Sequence, residues 1–561
     1  SMNLSNVTLT RASGFTGTML KITGENTTVN MENVTIDGNK NEVTDATGAL
    51  VQVEDGATVN IKEGTALRNN HARGLMIFGK NVAANELITT VNMSGGEISG
   101  NGNFANSSSE GGGVWLNYNC VFNLSDGSIK NNEASFGAGV YVFSINNEAQ
   151  APGKFVMTGG AVEENTTKNT QYASEEGGAG LYVYGIAELK GGEIKNNSTS
   201  NEGGCGGGVF IDARGQVVLD GAIISGNTSY WSGGGIYIQG NGNYSGTSNA
   251  TLDMKSGSII NNTTVDGNGG GIGAFGDWTG GTDVTVMISG GEISGNTATN
   301  WKSGAAIVLA GESDADAKPA KLELSGSPTI SGDVFLRKDL FSDLAVDVVD
   351  TFTPTAPVVI SVSGNESNKN VVKYAESVTP NPSAFAPENS DYIIDKDGNM
   401  VKEPQAVWGE TEEYGNSGTL EEAFKALEAD KSMYIKLQKN VQLSDTLIVE
   451  NADDVTLDLA GYTVTAAENK PILVITDNKT FTLNDSVGTG ELTGGITDSH
   501  TYAAGVTVSN GATFNLNGGA ITGNTHTGEG YGTGGVSLGT NANFIMTGGS
   551  ITGNKSNHYY G

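Results

Sequence analysis

The chain is expected to be all-β, a right-handed parallel β-helix (solenoid), and three observations predict it. A phrase recurs: "GGEISGN" at 95–101 returns as "GGEIKNN" at 191–197 and "GGEISGN" at 290–296, with looser copies such as "DGSIKNN", "GGAVEEN" and "SGSIINN" between and around them. The closing asparagines Asn39, Asn70, Asn101, Asn132, Asn165, Asn197, Asn227, Asn262 and Asn296 are spaced 30 to 35 residues apart. Within each period the apolar residues alternate in short runs bounded by Gly, Asn and Ser, the signature of strands and turns rather than helix.

Each unit reads in the same order. An alternating run ("TVNM", "VFNL", "FVMT") leads through a small-residue turn to a second apolar strand ending in Asn. A variable polar loop follows, then a Gly-rich stretch and a third alternating strand such as "GVWLNYN" or "GIYIQG". Three strands and three turns make one rung, and rungs stack at about 4.8 Å, so equivalent side chains form ladders. The asparagine is expected at a turn with left-handed φ, its amide bonding to the next rung.

The rungs set the domains. Residues 1–339 read as a β-helix of about ten rungs, with Asp333 at the ladder position after Asn296. Residues 340–404 lose the repeat, hold most of the prolines and read as a small β end-module or linker. Residues 405–561 read as a second β-helix behind an N-terminal capping helix at 418–430, where Thr419 and Glu422 form a capping box and Leu420, Ala423, Phe424 and Leu427 share a face. That helix would cover the unpaired strand edges of the solenoid end. "GAITGN" and "GSITGN" carry the ladder on through Asn524 and Asn554. Both chain ends fall within rungs and the opening "SM" looks like a vector remnant, so the sequence reads as an excised piece of a longer tandem protein.

Composition narrows the function. There are 62 acidic and 30 basic residues, a net charge of −32, which excludes a phosphate-backbone-binding face and so a nucleic-acid partner. Two cysteines, Cys120 and Cys205, exclude a disulfide framework and a zinc site. His71, His500, His526 and His558 are scattered and form no metal set. "DKDGN" at 395–399 reads as a turn rather than a calcium loop, and no metal or other cofactor is expected. No apolar run approaches the ~20 residues of a membrane span.

The phrases "GGEISGN", "GGGIYI" and "LDLAGYTVT" resemble the right-handed parallel β-helix repeats of very large surface-exposed bacterial proteins, adhesin-like and typical of gut Firmicutes. The likeness covers roughly 1–335 and 405–561 and implies a secreted or cell-wall-attached, extracellular protein. The same scaffold carries pectate-lyase-like enzymes and β-helix glycosidases, including lacto-N-biosidases, but none of their catalytic motifs falls on these residues. A shared scaffold does not fix function.

The third strand carries the candidate site. Alternation sends Val114, Val140, Leu181, Val209, Ile236 and Ile272 inward and Trp115, Tyr141, Tyr182, Phe210 and Tyr237 outward, with Gly273 next in line. Two residues on, Asn117, Phe143, Tyr184, Asp212, Gln239 and Phe275 also point outward. Six rungs thus build an aromatic face about 25 Å long. Three roles fit it: a core covered by the chain's own inserts, a glycan or host-glycoprotein site in which rings stack on sugars, or a protein-partner surface. Tyr230, Trp231 and Trp301 precede Gly-rich strands and would wall the face. A carboxylate pair would make it a glycosidase or polysaccharide lyase. Asp212 and Asp277 lie two rungs apart, near the ~6.5–9.5 Å of inverting glycosidases. Glu175, Glu176 and Glu202 stand in neighbouring loops, and Arg214 is placed to pair with Asp212.

Overall fold

A computed structural model describes residues 1–557 apart from 85, 104–108, 145–149, 169–176, 201–202, 241–247, 278–280, 300–303, 311–317, 365–368 and 530–531. The chain divides into two compact units, Ser1–Val401 and Lys402–Gly561. Both are parallel β-solenoids, nearly free of helix.

In the first unit the turns from Cys120 to Ile260 are each built from one long strand, one very short one and one of three or four residues. The sequence suggested three separate strands; the first two stay separate in turns such as Thr58–Ile61 with Ala66–Arg68 and Thr282–Ile288 with Glu292–Ser294, but join in others. Cys120–Lys130 is a single strand whose register to Thr89–Ser99 slips between Leu124 and Asp126 and again between Asp126 and Ser128. The small residues expected to make a turn therefore form a bulge, which bends the strand without ending its ladder. These long strands stack into the sixteen-stranded sheet. After the asparagine, pairs such as Glu133–Ala134 and Thr166–Thr167 form a six-stranded sheet. The third strands, from Leu20–Thr23 through Val140–Val142 and Ile236–Gln239 to Phe385–Pro387, form a thirteen-stranded sheet.

The interior is filled by aliphatic and aromatic side chains. Val114, Val140, Leu181, Val209, Ile236 and Ile272 are fully buried, each contributing about 1.5–3 kcal/mol relative to exposure. Facing them, Phe122 and Phe155 stack with centroids 5.7 Å apart.

The interior asparagines form one continuous hydrogen-bonded column from Asn70 to Asn296. Asn165 is typical. Its Oδ1 accepts from the backbone N–H and from Nδ2 of Asn132, both at 3.0 Å. Its Nδ2 donates to Asn197 Oδ1 at 3.0 Å and to the Ile129 carbonyl at 2.9 Å. Both donors and both lone pairs of the amide are thereby used, in a fully buried position. The left-handed residue is the one before: Asn69, Gly100, Asn131, Glu164, Asn196, Gly226, Asn261 and Gly295 have φ between +54° and +65°. The expectation of left-handed φ at the ladder residue itself is thus displaced by one, because the preceding residue makes the turn that aims the amide inward. Asn39 is not in the column either. It has φ +52° itself, and Arg11, 1% exposed, occupies the end of the column by donating to Asn70 Oδ1 and to the carbonyls of Gly17 and Gly48. A second row that the sequence reading missed runs outside the solenoid, Asn123 to Asn92 to Asn60 to Asn30 to Asn3, each Nδ2 reaching the previous Oδ1 at 2.7–2.9 Å.

The Gly-rich stretch serves the same column. Gly233 has φ +64°. A Cβ on Gly235 would stand 2.7 Å from the Gly271 carbonyl and 3.0 Å from Asn262 Nδ2, so only a bare backbone closes over the amide.

Residues 340–404 are divided. Val346–Phe352, Val358–Val362, Val372–Tyr374 and Phe385–Pro387 continue the parallel sheets, whereas Lys369–Asn370, Tyr392–Ile394 and Asn399–Lys402 make a small separate sheet. Asp333, at the ladder position, accepts from the amides of Gly304 and Ala305 at 2.7 and 2.8 Å and from the Ser361 hydroxyl. "DKDGN" is a turn: Asp395 Oδ1 accepts from the amides of Asp397 and Asn399. Near it Lys338, 5% exposed, donates to the carbonyls of Leu344 and Asn370 at 2.6 Å. Burial, with Lys369 and Lys373 adding, holds this ammonium down to about 8.

In the second unit the capping helix, α1 (Leu420–Lys425), follows the strands Ala406–Gly409 and Asn416–Gly418 and is shorter than the span 418–430 suggested. Its capping box is complete: the Thr419 hydroxyl accepts from the Glu422 amide and Glu422 accepts from the Thr419 amide. Leu420, Ala423, Phe424 and Leu427 are buried, and the Phe424 ring lies 6.4 Å from Phe481. Ala406–Gly409 pairs antiparallel with Ser432–Leu437, after which the strands are parallel. Asn524 and Asn554 repeat the amide column.

Two outcomes are expected. Asn165→Ala strands buried partners on both neighbouring turns and lowers unfolding stability by about 3 kcal/mol or more, whereas Asn123→Ala in the outer row lowers it by about 1 kcal/mol, both read from urea unfolding. For Lys338, both folded and unfolded chains carry the proton below pH about 8; between there and its ordinary 10.5 the unfolded chain binds more protons, so folding gains stability as pH rises. The urea midpoint of wild type should therefore rise across that window relative to Lys338→Met, and parallel pH profiles would refute it.

Candidate functional site

In-register parallel pairing places Trp115, Tyr141, Tyr182, Phe210 and Tyr237 on successive turns of the third-strand sheet, one directly above the next. Tyr141 and Tyr182 stack at 5.0 Å and 12°, and Tyr182 and Phe210 at 4.8 Å and 16°. Tyr237 tilts to 56° against Phe210. Gly273 brings no side chain to the next turn, and Phe275 leans in to 5.4 Å from Tyr237. Phe143 links Trp115, Tyr141 and Tyr184 at 6.0–6.4 Å.

The rings leave the solenoid interior as the alternation requires, but they are not open to solvent. Tyr141 and Tyr182 are 7% exposed, Tyr184 and Tyr237 4%, Phe210 2% and Phe275 9%. Together with Cys205, Ala213, Val308 and Ala310 they form a second hydrophobic core, with Trp115 and Phe143 half-buried at one end. The segment between asparagine and Gly-rich strand supplies the cover. Glu110, Phe136, Gly177, Cys205, Ser232 and Asn268 pair in parallel, one residue per turn, so these segments stack as a layer of their own. From that layer Phe136 sets its ring edge-on to Tyr182 at 5.6 Å, and burial pushes the Cys205 thiol far above its usual range. The period-2 pattern reveals which side of a sheet a ring leaves, not whether another layer lies over it.

The polar members of the face are engaged as well. Asp212, 4% exposed, accepts from the Tyr182 hydroxyl at 2.7 Å and from the Ala213 amide at 2.8 Å. Asp277 is fully buried and accepts from the Thr282 amide at 2.6 Å, closing the turn that follows its strand. Gln239, half-buried, accepts from the Tyr237 hydroxyl at 3.2 Å. The expected Arg214–Asp212 pair is not among the ion pairs of the described residues, and Arg214 Nε is buried without a hydrogen-bond partner. Asn117 accepts from the Tyr118 amide. Glu175, Glu176, Glu202, Trp301 and His558 lie outside the described residues.

One aromatic side chain of the covering layer does reach solvent. Trp231 is 40% exposed, with its indole 5.2 Å from Phe275 and 6.5 Å from Tyr237. Its amide donates to the Gly204 carbonyl at 3.0 Å, so the backbone beneath the ring is fixed.

No protein-family model matches this chain, and the search of curated proteins returns no relative. The fold places it among the parallel β-solenoids. No helix among the described residues is long and apolar enough to cross a membrane.

If the ladder is a core, truncating it unfolds the shaft. Phe210→Ala should lower stability by about 3–5 kcal/mol. Tyr182→Phe, which deprives Asp212 of its hydroxyl partner, should lower it by about 1.5–3 kcal/mol. Thermal melts of the two variants that coincide with wild type would show the rings to be dispensable for folding.

Proposed function

We propose that this protein is an extracellular, surface-displayed β-solenoid protein, adhesin-like, that binds a glycan through the exposed indole of Trp231. The observation that carries the reading is that ring: 40% exposed, backed by Phe275 and Tyr237, and anchored through its own amide. An aromatic face held in place before binding loses little side-chain freedom when a sugar ring stacks on it. Phe275 and Tyr237 act as its support, while Trp115, Tyr141, Phe143, Tyr182, Tyr184 and Phe210 stiffen the solenoid. A net charge of −32 favours neutral glycans over polyanionic ones.

A purely structural spacer is the second reading, favoured by the burial of the ladder. Cleavage by Asp212 and Asp277 is the less supported alternative. Asp212 would have to give up bonds to Tyr182 and Ala213, and Asp277 its bond to Thr282, before either met a substrate.

A glycan array of the full chain beside Trp231→Ala separates these readings. Binding by wild type that falls tenfold or more in the variant, with an unchanged melting temperature, is the expected result. An array silent across host and plant glycans would leave the spacer. Released product that disappears in Asp212→Asn would restore the enzyme.

A further inference from the structure

The described residues of the first unit also form a cavity of about 470 Å³ at the end of the aromatic ladder, lined by Asp45, His71, Arg73, Asn103, Glu110 and Glu133 among others. These residues come from four successive turns, from the segments after the ladder asparagines, so Asp45, the pair His71 and Arg73, the pair Asn103 and Glu110, and Glu133 meet only when the turns stack. The cavity lies within the 300–1,000 Å³ typical of small-ligand sites.

Two of its three named carboxylates, Glu110 and Glu133, are already paired. Lys40 Nζ lies 3.2 Å from Glu133 Oε2. Arg73 Nε donates to the Glu110 carbonyl at 2.7 Å, its Nη2 lies 3.9 Å from Glu110 Oε2, and its guanidinium sits 5.6 Å over the Trp115 ring. Trp115 Nε1 donates to Glu110 Oε2 at 3.1 Å, which ties the cavity wall to the ladder. The His71 ring accepts from Asn103 Nδ2 at 2.9 Å, which requires an unprotonated nitrogen. Burial first, then Lys40, lowers its proton affinity, against smaller pulls from Asp45 and Glu133.

A ligand must therefore meet mainly fixed donors and acceptors, Asp45 being the one named carboxylate of the cavity in no ion pair among the described residues. An anion would face three carboxylates inside a chain of net charge −32. A cation would have to compete with Lys40 and Arg73 for Glu133 and Glu110, which leaves it Asp45 as a single carboxylate. A hydroxyl-rich neutral molecule suits the set: it donates to the spare carboxylate lone pairs and accepts from guanidinium and amide N–H groups. We infer that this cavity is a second binding site, taking a neutral sugar of one or two rings. The inference rests on the reading of the first unit as a glycan-binding solenoid but assigns a different place, three to six turns from Trp231 along the same edge, roughly 14–29 Å at about 4.8 Å per turn.

Isothermal titration and saturation-transfer NMR on the full chain test it, with galactose, mannose, N-acetylglucosamine, lactose and cellobiose as neutral probes and glucosamine and glucuronic acid as charged ones. Glu133→Gln, Asn103→Ala, His71→Ala and Trp231→Ala are compared, each checked by circular dichroism and melting temperature. At least one neutral sugar should bind, with affinity reduced tenfold or more in folded Glu133→Gln or Asn103→Ala and unchanged in Trp231→Ala. Binding lost only in Trp231→Ala overturns the cavity and leaves the proposed function standing. Binding lost only in the cavity variants supports the cavity and removes Trp231 from that function. Binding of charged probes alone, or of no probe, overturns the inference.

Discussion

A buried amide that uses every donor and acceptor it has is the constraint around which the first unit is organised. Asparagine side chains inside an apolar tube would be destabilising if any one bond were missing, because an unpaired buried polar group costs about 1–3 kcal/mol. Column continuity removes that cost, since from Asn132 to Asn262 each carbonyl oxygen takes two bonds from the turn before and each amide nitrogen gives two. Mutual polarisation along such a chain strengthens its members. The column also fixes register: sliding one strand by a residue would break it and turn the inward valines and isoleucines outward.

Other features follow from that register. The Gly-rich stretch is bare because the third strand must close directly over the amides. Because register is held, residues at one position of the repeat stack on each other, and a position occupied by Trp, Tyr or Phe becomes a continuous ladder of rings. Where the column begins, Arg11 supplies the donor that a preceding asparagine would have given. Near Asp333 the carboxylate takes backbone amides instead, and the turns beyond it proceed without the column.

The aromatic ladder lies between structure and function. Its lower rings are buried under a layer made by the same loops that carry Trp231 and the cavity residues, so the loops both cover a core and present side chains to solvent. A solenoid built this way varies in chemistry along one edge, where loop length is free to change without disturbing the sheets.

The solenoid, its period, its inward residues and the capping box at Thr419 were legible because each is local or strictly periodic: alternation, spacing and an S/T-x-x-E pattern are properties of the chain alone. The merging of two strands through a bulge was not legible, since a run of small residues reads equally as a turn or as a kink within a ladder. Nor was the one-residue displacement of the left-handed position, which depends on which neighbour must aim its amide inward. The candidate site divided in the same way. Sequence determined that Tyr182, Phe210 and Tyr237 leave the sheet on one side, because alternation in a strand admits no other arrangement. Only the tertiary structure decided that they are buried, that Asp212 is held by Tyr182, and that His71, Arg73, Glu110 and Glu133 share one cavity, because contacts between loops of different turns are set by how the rungs stack and carry no periodic signal.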